Sequence, residues 1–139
     1  MPKAKKNEWG LTVLRVVLGV IFAYHGYIKL FVPGGFVGTV KFFASVGIPI
    51  PSYAALLSAV AELAGGLLLI WGLLTTYSSL VLLFDMAVAF FYVHMKNGFL
   101  VSQGGFEFVL ILAAALAVVV INGPGNFSFG KIFKSKHLH

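Results

Sequence analysis

The sequence predicts an all-α polytopic membrane protein, a four-transmembrane-helix bundle with a short interfacial or re-entrant helix between helices one and two. Its composition is the first observation behind this prediction. Hydrophobic residues make up 60% of the 139 residues and charged residues only 10%, whereas a soluble domain carries about 25% charged residues. The second observation is that the apolar residues form four runs near the length of about 20 residues that spans a bilayer. We therefore expect one membrane domain over residues 1–139.

The four spans are expected at about residues 10–32, 53–74, 78–94 and 104–121. Their β-branched stretches are assigned to helix, because the runs that contain them are too long for strands. The segment over residues 36–47 is too short to cross a bilayer, and it mixes a lysine and a threonine with phenylalanines and valines. That mixture favours a helix in the membrane interface or a re-entrant helix.

Proline, glycine and polar residues mark the expected helix ends. Pro33, which two glycines follow, ends the first span because proline lacks a backbone N–H donor. Ser52 is the expected N-cap of the second span. The polar stretch TTYSS, residues 75–79, is expected to link the second span to the third, and Asn97-Gly98 predicts a turn before the fourth.

The formal net charge of +6 is concentrated in lysines near the two ends of the chain. By the positive-inside rule both termini are expected in the cytoplasm, which fits an even number of spans. The same distribution explains the positive charge without nucleic acid, so the expected partner is the lipid bilayer. The first apolar run has no small-residue cleavage site after it, so we expect no removed signal peptide. The chain has no cysteine, which excludes a disulfide and a thiolate metal site, and no metal site is predicted.

Ionisable residues inside the predicted spans are the main functional signal. Each would cost roughly 2.5 to 3.5 kcal/mol facing lipid at mid-span, so they are expected to face one another or water. On helix one, three of them fit a single inward-facing stripe at about 100° per residue. The full set is Arg15, His25, Lys29, Glu62, Asp85, His94 and Glu107.

Depth along each predicted helix, at about 1.5 Å per residue, suggests two groups. One is an outer cluster in which His25 meets Glu62 and in which Glu107 lies level with Lys29; His94 belongs to it as well. The other is an inner pair of Arg15 with Asp85. The inner pair is interpreted as a buried ion pair that fixes helix register. In the outer cluster, the number of titratable groups exceeds what pairing needs, which favours proton transfer near neutral pH.

Two further interpretations remain open at this stage. His25 and His94 on facing helices are a candidate pair of haem ligands, although no spacing motif supports that assignment. The phenylalanine-rich segment 36–47 is a lid or a lipid contact, and a lid beside a polar cluster suits a lipophilic substrate such as a quinone. No tightly bound cofactor is predicted.

Four stretches follow one another from about Leu11 to Gly130: LRVVLGVIFAYHGYIKLF, AELAGGLLLIWGLLT, NGFLVSQGGFEFVLIL and NGPGNFSFG. Together, in this order, they resemble the DoxX family of small bacterial and archaeal membrane proteins. The family pattern has an acidic residue where this chain has Gly130. Elsewhere the matching positions are Arg15, His25-Gly26, Lys29, Glu62-Leu63, Gly65-Gly66, Gly104-Gly105 and Glu107.

The resemblance implies a multi-pass protein of the bacterial or archaeal plasma membrane that is associated with redox systems. The related DoxD is a subunit of a thiosulfate:quinone oxidoreductase. We therefore expect a pocket that binds a quinone or a small anion such as thiosulfate, with His25 and Glu62 moving protons and Lys29 with Glu107 fixing charge. An electron-carrying protein partner is also expected, because the chain has no cysteine.

The alternatives come from other classes of protein. One is a non-enzymatic scaffold or assembly factor for an oxidoreductase complex, in which the buried charges only hold the bundle together. Another is a small transporter or proton path, which needs oligomerisation because four helices leave little room for alternating access. Small-residue faces, Ala61 with Gly65 and Ala113 with Ala117, allow packing within the chain or in a homo-oligomer.

Overall fold

The computed structural model describes residues 2–136, and the all-α fold class is confirmed over that part of the chain, which contains no strand. The helix that begins at Thr75 continues through a π-helical turn, Phe90–His94, and a 3₁₀ turn, Met95–Asn97. A second 3₁₀ turn, Val101–Gln103, lies in the following loop. The α-helices are α1 Pro2–Phe31, α2 Gly35–Ser45, α3 Pro51–Trp71, α4 Thr75–Ala89, α5 Glu107–Asn122 and α6 Phe129–Lys136.

Within residues 2–136, three helical segments are long and apolar enough to cross a membrane: Glu8–Phe31, Pro51–Trp71 and Thr75–Asn97. The fourth apolar helix, α5, has 16 residues, so its length of about 24 Å falls short of a hydrocarbon core of about 30 Å. It begins later than predicted because Gly104 takes a left-handed conformation with φ 75°. The backbone N–H of Phe106 then donates a hydrogen bond to the carbonyl oxygen of Gly98 across a tight loop.

Two predicted helix boundaries are wrong, and backbone geometry explains both. Pro51 at the first position starts α3, so Ser52 lies inside the helix and is not its N-cap. The connection from α3 to α4 is formed by residues 72–74 rather than by 75–79. Gly72 and Leu74 have φ values of 71° and 46°, which reverse the chain in three residues, and Thr75 already belongs to α4.

Helices α1, α3, α4 and α5 form a closed bundle in which each packs against the next and α5 returns to α1, while α2 lies against α1 and α3. The tightest contact is between α1 and α3, where glycines replace side chains. A Cβ on Gly19 would lie 2.6 Å from the Gly66 carbonyl oxygen, and one on Gly26 would lie 2.8 Å from that of Ala59. The two backbones therefore touch. The apolar core comprises Leu18, Phe22, Leu69, Leu82, Met86, Val109, Leu112, Leu116 and Val119.

Candidate functional site

An ion pair between α1 and α3 is the centre of the candidate site. Lys29 Nζ lies 2.7 Å from Glu62 Oε2, and Glu62 is only 5% exposed. The same ammonium group donates to Ser58 Oγ at 3.3 Å and lies 5.9 Å from the centre of the Phe43 ring of α2. Close approach of the two helices at Gly26 brings these groups within reach. Lys29 therefore pairs with Glu62. The prediction that Lys29 and Glu107 act together, made from their similar depth along the helices, is wrong.

Asp85 on α4 belongs to this centre and not to an inner pair with Arg15. Asp85 and Glu62 line one cavity, and their carboxyl groups interact electrostatically there. The predicted inner pair is wrong because α4 starts at Thr75. That start lies three residues before the predicted one, which lifts Asp85 by about 4.5 Å along the helix axis.

Arg15 is fully buried and binds backbone carbonyl groups instead of a carboxylate. Its Nη1 donates to Leu69 O at 2.6 Å and to Ile70 O at 3.2 Å, in the last turn of α3. Its Nη2 donates to Phe127 O at 2.5 Å, in the loop after α5. The last carbonyl groups of a helix have no partner within the helix and carry partial negative charge. Arg15 therefore ties α1 and the loop to the end of α3.

The two histidines face the same cavity as the ion pair but neither is bonded to Glu62. His25 Nδ1 is 2.9 Å from Ile21 O, one turn back on α1, and His94 Nδ1 is 2.7 Å from Gly104 O. The predicted outer cluster is thus assembled in part: His25, Lys29, Glu62 and His94 line one cavity. Glu107 is outside it, since its Oε1 accepts a hydrogen bond of 2.8 Å from the backbone N–H of Val101.

The cavity has a volume of about 1190 Å³ and lies between α1, α3, α4 and α5, with α2 along one side. Its walls are mainly aliphatic and aromatic, and the charged groups are gathered on one part of them. Sequence reasoning did not single out Ser58 or Phe43. Ser58 lies four residues before Glu62, on the same face of α3, which is a signal that was present in the sequence.

Removal of the lysine from this centre is expected to destabilise the protein. We expect Lys29→Met to lower the free energy of unfolding by about 2 kcal/mol, less than for a fully buried pair because the lysine is partly exposed. The measurement is unfolding of the purified protein by sodium dodecyl sulfate, followed by far-ultraviolet circular dichroism. The double variant Lys29→Met/Glu62→Leu should recover part of the loss, since no buried carboxylate then lacks its cation. A single variant as stable as the unmodified protein would contradict this expectation.

Comparison with known proteins agrees with this architecture. A sequence model of the DoxX family matches residues 10–95. A Bacillus subtilis protein named "Putative oxidoreductase CatD" is 34% identical over 110 residues, which cover 79% of this chain and 78% of that protein. Inner membrane protein YphA of Escherichia coli is 29% identical over 126 residues, 87% of this chain and 88% of the relative. An uncharacterized protein of Haemophilus influenzae is 31% identical over 135 residues, 94% and 96% of the two chains. No solved structure matches this chain.

The apolar helices, the bundle and the buried charged cavity define a helical membrane protein in contact with the lipid bilayer. Both the family match and the similarity to the Bacillus protein extend over most of the chain. The chain belongs to the DoxX family.

Proposed function

We propose that the protein is a redox-associated membrane subunit whose cavity binds a lipophilic quinone. The observation that carries this proposal is the cavity itself: about 1190 Å³ of mainly apolar space with one cluster of charged groups in its wall. Ligand sites typically combine apolar walls with a few placed polar groups. A quinone has the matching form, an apolar ring and tail with polar oxygens. The name of the Bacillus relative as an oxidoreductase lends support.

The charge of the cavity favours a quinone over a small anion such as thiosulfate. Arg15, one of the two cations expected to attract an anion, is bonded to carbonyl groups at the other end of α3. Lys29 is neutralised by Glu62, and Asp85 adds a second carboxyl group. An anion would therefore meet no uncompensated positive charge, and burying it there would be costly.

In this proposal Glu62 and His25 exchange protons with the bound ligand, and Lys29 holds Glu62 in place. Electrons come from or go to a protein partner, because the chain has no cysteine and a quinone needs a redox partner. The same proposal places the protein in a bacterial plasma membrane with both termini in the cytoplasm, in agreement with the lysines near the chain ends.

The test is binding of a decyl-substituted quinone, offered in its oxidised and in its reduced form, to the purified protein in detergent by isothermal titration calorimetry. We expect saturable binding of one ligand per chain in at least one redox form. Glu62→Gln should weaken that binding about tenfold, since it removes a charge-assisted hydrogen bond. Glu107→Gln is the matched control, because Glu107 lies outside the cavity, and it should bind as the unmodified protein does.

A non-enzymatic scaffold or assembly factor is the second candidate function. It is supported by the Lys29–Glu62 pair, which joins α1 to α3 whether or not a ligand enters the cavity. If neither redox form binds to the folded protein, the quinone proposal fails and the scaffold becomes the better account. Recruitment of a redox partner, or formation of a homo-oligomer, would then be the activity to measure by crosslinking in membranes.

A further inference from the structure

The hydrogen bonds already made inside the cavity leave mainly acceptors for a ligand. Lys29 carries the three ammonium protons of the charged cluster. Its contacts are the Glu62 carboxylate at 2.7 Å, the Ser58 hydroxyl at 3.3 Å and the Phe43 ring at 5.9 Å. The contacts with Glu62 and Ser58 use two of these protons, which leaves one for a ligand. Ser58 accepts from Lys29, so its hydroxyl proton is a second donor, against the larger number of acceptors described next.

The carboxyl groups of Glu62 and Asp85 present acceptor lone pairs whether or not they hold a proton between them. With both ionised, each offers acceptors only. With one proton bound, one carboxyl group gains a single donor, and the other oxygens still only accept. In both cases the lone pairs that remain are available to a ligand.

The two histidines add acceptors of the same kind. A carbonyl oxygen only accepts hydrogen bonds, so Nδ1 of His25 donates to Ile21 O and Nδ1 of His94 donates to Gly104 O. In the neutral imidazole the other ring nitrogen, Nε2, is then an acceptor. Both histidines line the cavity. Tyr92 is a cavity residue whose hydroxyl group both donates and accepts, so it favours neither kind of ligand.

From this balance we infer that the cavity selects a ligand whose head donates hydrogen bonds, so that among quinones it binds the hydroquinone in preference to the oxidised quinone. This inference rests on the proposed function and specifies its ligand. The two hydroxyl groups of a hydroquinone donate to the carboxyl pair and to a histidine Nε2. The carbonyl oxygens of a quinone only accept, so they give these acceptors no hydrogen bond, and the buried Glu62 carboxyl group is left without a donor from the ligand.

Three ligands that differ only in their head group test the inference: a decyl-substituted 1,4-hydroquinone, the corresponding benzoquinone and the hydroquinone dimethyl ether. Binding to the purified protein is measured by isothermal titration calorimetry without oxygen. We expect the hydroquinone to bind about tenfold or more tightly than either of the others, because a site built for hydroxyl donors rejects analogues that lack them. The dimethyl ether separates the effect of the donors from that of the redox state.

Asp85→Asn provides a second readout, because the amide group introduces a donor where the protein has acceptors. In this variant the preference for the hydroquinone should fall, and the benzoquinone should bind more tightly than to the unmodified protein. Equal affinity of the three ligands, or tighter binding of the benzoquinone to the unmodified protein, would overturn the inference and leave the proposed quinone site in place. Absence of binding by all three would refute both. The ligand series on the unmodified protein decides the matter even if the variant does not fold.

Discussion

Replacement of Arg15 by alanine is expected to lower the free energy of unfolding by about 4 kcal/mol, because one buried and two partly buried carbonyl groups lose a charged donor at about 1 to 3 kcal/mol each. Two of these carbonyl groups belong to the last turn of α3 and one to the loop after α5. The positive guanidinium group also lies at the negative end of the α3 dipole, where a cation is stabilising. Unfolding by sodium dodecyl sulfate, followed by circular dichroism, measures the change.

Two variants show whether the loss of stability comes from the planar arrangement of N–H donors in the guanidinium group of Arg15. Arg15→Lys keeps the charge but not the planar arrangement of N–H groups, so we expect it to lose about half as much stability as Arg15→Ala. Lys41→Ala removes an exposed cation of α2 and should change stability by no more than about 0.5 kcal/mol. If Arg15→Ala unfolds like the unmodified protein, the three carbonyl groups do not depend on Arg15 and the structural role assigned to it is wrong.

The helical fold follows from signals that are local in the sequence. Span length, together with breakers such as Pro33, predicted helices in the right places. The ends of the helices were less predictable where the backbone conformation of one or two residues decides them. Leu74 takes a positive φ of 46° that a leucine rarely adopts, so the short turn before α4 had no sequence signature.

The sequence indicated which residues form the candidate site but not which of them pair with each other. Burial cost alone pointed to Lys29, Glu62, Asp85 and the histidines, since each ionisable group in a span needs a partner. Pairing by depth failed for Asp85 because an error of three residues at a helix start moves a side chain by about 4.5 Å. Arg15 could not be assigned from sequence, because its partners are backbone carbonyl groups, which every residue carries.

The contact between α1 and α3 is the feature on which the candidate site depends most directly. Lys29 lies three residues after Gly26, and Glu62 lies between Ala59 and Leu63, whose backbones Gly26 touches. A side chain at Gly26 would collide with backbone atoms, which cannot move aside as the end of a flexible side chain can. Substitution there should therefore separate the two helices and, with them, the ion pair.

We expect Gly26→Leu to lower the free energy of unfolding by about 3 kcal/mol, near the upper end of the cost of overpacking, and to abolish ligand binding in the cavity. Gly10→Leu is the matched control in the same helix: a Cβ on Gly10 meets nothing within 4 Å. Its stability should be unchanged or slightly raised, since leucine favours a helix by up to about 1 kcal/mol over glycine. Unfolding by sodium dodecyl sulfate and ligand titration would measure both effects. If the two variants behave alike, helix propensity rather than backbone contact governs this position, and the closeness of α1 and α3 cannot be what holds Lys29 against Glu62.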